Sequence, residues 1–291
     1  MVRPCKSFPR ARRAAPRRAL PWLALTWLAL GLAPAPQSAG GAKKPSAQAE
    51  PTIDENGIPS RDLRADGDEM KRYFLIGPRE KQKAPKNGYA CLVVMPGGPG
   101  GPDFHGFVKN IWNHCCPDEF VVVQLVAPKW VAEPKVIWPM DPGDQQGMKF
   151  TTREQVDATL ADVAKVQKVK LDPKRTYQLV WSSSGPAAYR MALDEKTPFA
   201  ASYIAMSVFR EGEVQLSRAK GRVFFLDHSP EDKTCKFADA QRAKEKLTKE
   251  GAVVELITHG AGHSWEEDGM GRLKKGIAWM EEHRPGAAKN R

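Results

Sequence analysis

The chain is poor in the residues from which metal and redox centres are built. Six histidines and five cysteines occur in 291 residues, and none falls in a Cys-x-x-Cys or Cys/His zinc spacing. His259 and His263 come nearest to a ligand pair, but Gly260 and Gly262 disfavour the helix that would align them. No H-E-x-x-H follows, so a zinc-protease site is excluded and His259 reads as a structural histidine. The glycine-rich stretch Gly97 to Gly101 lacks the G-x-G-x-x-G spacing and is followed by no Lys-Ser/Thr, which removes the dinucleotide and P-loop readings. No internal repeat is present. The apolar run Leu20 to Leu32 is shorter than the ~20 residues that span a bilayer.

That run has another reading. It follows seven basic residues (Arg3, Lys6, Arg10, Arg12, Arg13, Arg17 and Arg18) with no acid among them, and A-P-A and S-A-G come after it. This is the layout of a secretory signal peptide. Residues 1–39 are therefore expected to be a leader. Export to the periplasm or the medium follows, with an uncleaved membrane anchor as the alternative. Without the leader the formal charge falls from +11 to +4, so most of the basicity belongs to targeting and gives no argument for nucleic-acid binding. Residues 40–60, rich in Ala, Gly, Ser and Pro, are expected to be a disordered linker. Residues 61–291 form the domain. Cys5 lies in the leader and Cys91 in a buried-looking strand. Of the rest, the adjacent Cys115 and Cys116 are poorly placed to pair with each other, and one of them could bridge to Cys235 in an oxidising compartment.

From Arg61 onward apolar runs of strand length alternate with amphipathic stretches of helix length. Strands are expected at Arg72–Ile76, Tyr89–Met95, Phe120–Leu125, Thr176–Trp181, Ala201–Met206, Gly221–Leu226 and Val253–Thr258. Helices are expected at Phe104–Asn113, Arg153–Lys168, Pro186–Leu193, Phe237–Glu250 and Met270–Glu282. Several of the strands are apolar almost throughout, as strands covered on both faces must be. The pattern predicts a single α/β domain with a mainly parallel sheet between helices. The Pro-rich, aromatic stretch 128–150 is too long for an idle connection in a compact domain.

Four places carry the chemistry. The run Y-Q-L-V-W-S-S-S-G-P-A-A (Tyr177 to Ala188) drives a strand abruptly into a helix around serines, a bend that can hold a nucleophilic hydroxyl exposed. M-P-G-G-P-G-G-P (Met95 to Pro102) follows the first buried strand. D-H-S-P-E-D (Asp227 to Asp232) closes a later strand, and G-A-G-H-S-W (Gly260 to Trp265) follows the last one. In order and kind these resemble the small single-domain serine esterases of the α/β-hydrolase family, of the dienelactone hydrolase and phospholipase/carboxylesterase type. The resemblance covers about residues 72 to 283.

It implies a Ser-His-Asp triad and an acyl-enzyme. Aligning small-x-Ser-x-Gly on Gly185 makes Ser183 the nucleophile. Gly98 and Ser184 then supply the oxyanion N–H groups. Asp232 is the acid, with Asp227 and Glu231 as alternatives, and His263 is the general base. Trp181 departs from the pattern, standing where the alignment wants glycine. Trp130, Trp138 and Phe104 are candidates for the wall of a substrate pocket. The expected partner is a small or polymer-linked ester, with no cofactor, metal, nucleic acid or stable membrane insertion. The competing readings are a non-catalytic binding protein on the same scaffold, favoured by Trp181, and a peptidase of the prolyl-oligopeptidase kind, which normally carries an additional domain.

Overall fold

A computed structural model describes residues 50–79 and 83–287. The expected leader, and Cys5 with it, lies outside the described residues. Nine strands are found among the described residues: β1 (Thr52–Ile53), β2 (Pro59–Arg64), β3 (Arg72–Ile76), β4 (Tyr89–Met95), β5 (Phe120–Leu125), β6 (Leu171–Trp181), β7 (Ala201–Ala205), β8 (Val223–His228) and β9 (Val253–Thr258). They form one sheet in the order β1-β2-β3-β5-β4-β6-β7-β8-β9. From β5 through β9 neighbouring strands run parallel, and β1, β2 and β3 join antiparallel at one edge.

The central strands are buried because both faces are covered. All seven residues of β4 (Y-A-C-L-V-V-M) and all six of β5 (F-V-V-V-Q-L) are buried. Helices α1 (His105–Cys115) and α5 (Gly269–His283) cover one face through Val108, Ile111, Trp112, Leu273, Ile277 and Met280. Helices α2 (Thr152–Lys165), α3 (Gly185–Ala192) and α4 (Phe237–Lys249) cover the other through Val156, Val163, Ala188, Met191, Ala243 and Leu247. Side chains alternate across each strand, so Val93 and Met95 serve one layer while Leu92 and Val94 serve the other. A capping box starts α2. The Thr151 hydroxyl accepts the Glu154 N–H at 3.2 Å, and the Glu154 carboxylate accepts the Thr151 N–H at 2.7 Å.

The expected linker needs correction at its end. Residues 52–60 are part of the folded domain: β1 and the start of β2 pair across a short turn, Ile58 is buried, and Asp54 makes an ion pair with Lys109 of α1. β2 reads P-S-R-D-L-R and shows no apolar run, because an outer strand held by backbone pairing and by Asp62 with Arg64 and Arg72 needs little core. The cysteine expectation is corrected too. Cys91, Cys115, Cys116 and Cys235 are all free thiols. Cys115 packs under α5, with its thiol 3.3 Å from the Met270 carbonyl, whereas Cys235 lies beside the serine turn. No helix among the described residues is long and apolar enough to cross a membrane.

Candidate active site

The parallel strands end together, and the loops leaving β4, β6, β8 and β9 meet at that end. β6 stops at Trp181. Ser182 then takes a φ of 57°, a left-handed conformation that costs a non-glycine residue roughly 1–2 kcal/mol. A single 3₁₀ turn, Ser182–Ser184, passes directly into α3. The bend is pinned on both sides. The Ser184 hydroxyl, fully buried, accepts the Trp181 N–H at 3.1 Å and lies 2.7 Å from the Met95 carbonyl at the end of β4. The Ser207 hydroxyl, after β7, donates to the Ser182 carbonyl at 2.5 Å.

His263 stands over the bend. Its Nε2 is 3.0 Å from Ser182 Oγ, and its Nδ1 is 2.8 Å from Asp232 Oδ2. A carboxylate opposite Nδ1 fixes the tautomer: the proton sits on Nδ1, and Nε2 keeps a lone pair for the serine hydroxyl. Asp232 Oδ1 is occupied separately, accepting the N–H groups of Thr234 and Cys235 at 2.8 Å each. Burial works to raise the Asp232 pKa, but the hydrogen bond from His263 and those from the Cys235 and Thr234 N–H groups outweigh it, and the carboxyl lies below its ordinary value. The acid and base expected from the chain therefore meet.

The serine does not match the expected register. The hydroxyl that reaches His263 is that of Ser182, whereas the Ser183 hydroxyl donates to the Gly98 carbonyl at 2.8 Å. Aligning the motif on Gly185 misplaced the pivot by one residue, because that glycine answers a different demand. A Cβ there would lie 1.8 Å from Ser207 Oγ, so its absence makes room for the hydroxyl that pins the bend. With Ser182 as pivot, the small residue two places on is Ser184, packed inside the turn. The residue after the pivot, whose N–H has no partner within the first helical turn, is Ser183 rather than Ser184.

The same shift puts Val180 in the small-residue position of the motif and moves Trp181 out of it. Its indole leaves the bend on the α1/α5 face and packs edge-on against Phe104 at 5.3 Å, Phe107 at 6.0 Å and Trp265 at 5.7 Å. Gly97 lies flat against it; a Cβ there would come within 2.5 Å of the indole ring. Trp181 is thus the floor of the glycine loop and of the serine bend. Replacing it by alanine is expected to cost about 3–5 kcal/mol of stability, read as a lowered urea midpoint with an unchanged m-value.

A cleft of about 200 Å³ opens beside Ser182 and Ser183, walled by Ile137, Trp138, Val208, Ala187 and Cys235. Among the three expected wall residues, Trp138 lies there, with its indole N–H donating to the Pro96 carbonyl at 3.0 Å. Phe104 instead packs behind the bend on Trp181, and Trp130 stacks edge-on to Phe150 at 4.8 Å; neither lines the cleft. The 128–150 stretch does supply a wall, through Ile137 and Trp138. Val208 and Cys235 come from the loops after β7 and β8 and carry no signal in the sequence. Burial pushes the Cys235 thiol up to about 11, so it is protonated at neutral pH and does not compete as a nucleophile. Asp227, the first alternative acid, is fully buried and engaged by the Tyr203 hydroxyl at 2.8 Å and Arg272 Nε at 3.1 Å. His259 Nε2 lies 3.5 Å from the same carboxylate, and burial lowers its pKa.

No protein-family model and no curated protein sequence matches the chain. Solved structures do. A ferulic acid esterase superposes with a TM-score of 0.57 at 15% identity, over 77% of this chain and 96% of that one. Thermogutta terrifontis esterase 2, phosphoramylated by tabun, superposes at 0.55 and 14% identity, over 82% and 98%. MGS-M1, an alpha/beta hydrolase from a Medee basin deep-sea metagenome library, superposes at 0.52 and 13% identity, over 81% and 96%. The chain has the α/β-hydrolase fold.

Proposed function

We propose that the protein is an exported serine hydrolase that cleaves a carboxylic ester through an acyl-enzyme. One observation carries the reading: the hydrogen-bonded line Ser182–His263–Asp232, at 3.0 and 2.8 Å, on a strained bend at the mouth of a cleft. Ser182 Oγ attacks the ester carbonyl as His263 Nε2 takes its proton. The oxyanion forms against the N–H groups of Ser183, at the start of the helical turn, and Gly98, in the loop after β4. Asp232 remains ionised and stabilises the imidazolium. His263 then returns the proton to the departing alkoxide, and a water deprotonated by His263 releases the acid and Ser182. The fold supports this reading, as do the names of the structures it resembles. The basic, then apolar, N-terminal sequence supports export.

Stopped-flow hydrolysis of p-nitrophenyl butanoate tests the reaction. Where deacylation is slower than acylation, an acyl-enzyme gives a burst of nitrophenol stoichiometric with enzyme, which Ser182→Ala lacks. Inactivity of the folded protein across acetate to octanoate esters would remove the reading. The cleft also predicts a size limit. Val208, half-buried in its wall, can be enlarged without entering the triad. Val208→Trp is expected to lower kcat/KM for the octanoate ester roughly tenfold while changing the acetate ester little.

A further inference from the structure

A second imidazole faces the acid of the triad. His228, the last residue of β8, is 2% exposed. Its Nε2 lies 2.9 Å from the Cys235 carbonyl and 3.3 Å from Asp232 Oδ2, the oxygen that already meets His263 Nδ1. Both neighbours of that nitrogen are acceptors, so Nε2 carries a proton and donates. The turn it touches holds the acid: Cys235, whose carbonyl His228 meets, donates its own N–H to Asp232 Oδ1. The next residue extends the arrangement. The Ser229 hydroxyl, fully buried, accepts the N–H of Glu231 at 3.0 Å in the acid loop and that of Gly262 at 3.2 Å in the base loop. The end of β8 thus ties both loops to the sheet.

We propose that His228 is a positioning residue that fixes the acid turn and, through its N–H, draws on the carboxylate charge available to His263. This rests on the Ser182 hydrolase reading above. A donor shared onto Asp232 Oδ2 competes with His263 Nδ1 for that oxygen and weakens its hold on the imidazolium. The groups around His228 are few. Asp232 and Cys235 lie on the loop it touches, His263 reaches it only through Asp232, and His259 at the end of β9 acts at longer range. Asp227, its neighbour in the strand, is engaged by Tyr203 and Arg272. The Phe237 ring of α4 covers it edge-on at 5.9 Å.

The test is the rate of labelling by a fluorophosphonate probe, followed by intact mass from about pH 5 to pH 9. It is run on wild type, His228→Phe, His228→Asn and His228→Gln. The rate rises as His263 loses its proton. Removal of the shared donor therefore moves the acidic limb to higher pH. For Phe the expected shift is about half a unit to one unit, with a several-fold slower rate near neutrality. Asn, whose amide stops short of both acceptors, is expected to shift in the same way and covers the case in which Phe does not fold. Gln places an amide N–H near the Nε2 position and is expected to return the limb to the wild-type pH. Superimposed limbs in wild type and the Asn or Phe variant would overturn the proposal, as would a Gln variant shifted as far as Phe. Wild type that does not label at any pH would instead strike the hydrolase reading itself.

Discussion

Ser182→Ala is expected to lower ester turnover by roughly 10⁴-fold or more, and Ser183→Ala to stay within about tenfold of wild type. The two hydroxyls are one residue apart and both border the cleft, yet only one is in contact with a base. Ser182 sits at the left-handed pivot, and its oxygen is the one that His263 can deprotonate. The Ser183 side chain spans to the Gly98 carbonyl. Its loss removes a tether on the glycine loop but leaves the Ser183 N–H in place for the oxyanion. The modest loss expected for Ser183→Ala is thus a loosening of the loop. Steady-state kinetics of both variants on p-nitrophenyl butanoate, with circular dichroism to confirm folding, checks the pair.

Asp232→Asn is expected to cost about 10⁴-fold in kcat at neutral pH while leaving the protein folded. The structure dictates how an asparagine would lie. The N–H groups of Thr234 and Cys235 point at the Oδ1 position and require an acceptor there. Two donors there outweigh the single His228 N–H at the Oδ2 position, so the amide oxygen takes the Oδ1 place and the NH₂ is turned toward His263 Nδ1. A donor opposite Nδ1 reverses the tautomer, putting the proton on Nε2, where it faces Ser182 and blocks proton abstraction. Deprotonation of Ser182 by hydroxide bypasses the wrong tautomer, so activity is expected to recover as pH rises above about 9. A pH–rate profile separates this from simple loss of an ionic contact, which predicts a smaller loss at neutral pH and no such recovery.

Much of this molecule was legible from local chemistry. β4 and β5 fall at the expected residues because β-branched, apolar runs buried on both faces have no other stable home, and β9, half-exposed at the sheet edge, falls where its β-branched residues favour a strand. Asp232 and His263 could be singled out because each follows a strand in a loop that must lie at one end of a parallel sheet. The misses have physical causes. β1 and β2 are polar and pair through backbone at the antiparallel edge, leaving no hydrophobic signature. The one-residue error at the serine arose because a glycine two positions after Ser183 was credited to the elbow motif, when the pressure on Gly185 comes from Ser207, more than twenty residues away. A positive φ at a serine has no mark in composition. Trp181 looked like a defect only in that wrong register, since its packing against Phe107 and Trp265 depends on which face of β6 it occupies. His228 was hidden for a similar reason: a buried histidine at a strand end looks structural until the turn after it folds back onto its ring.

The central claim is that Ser182, and not its neighbours, is the activated nucleophile. Peptide mapping of the fluorophosphonate-labelled protein tests it directly, with Ser182→Ala and Ser183→Ala treated alongside. One adduct per chain is expected on Ser182, present in Ser183→Ala and absent from Ser182→Ala. An adduct on Ser183, or none on folded wild type, would contradict it.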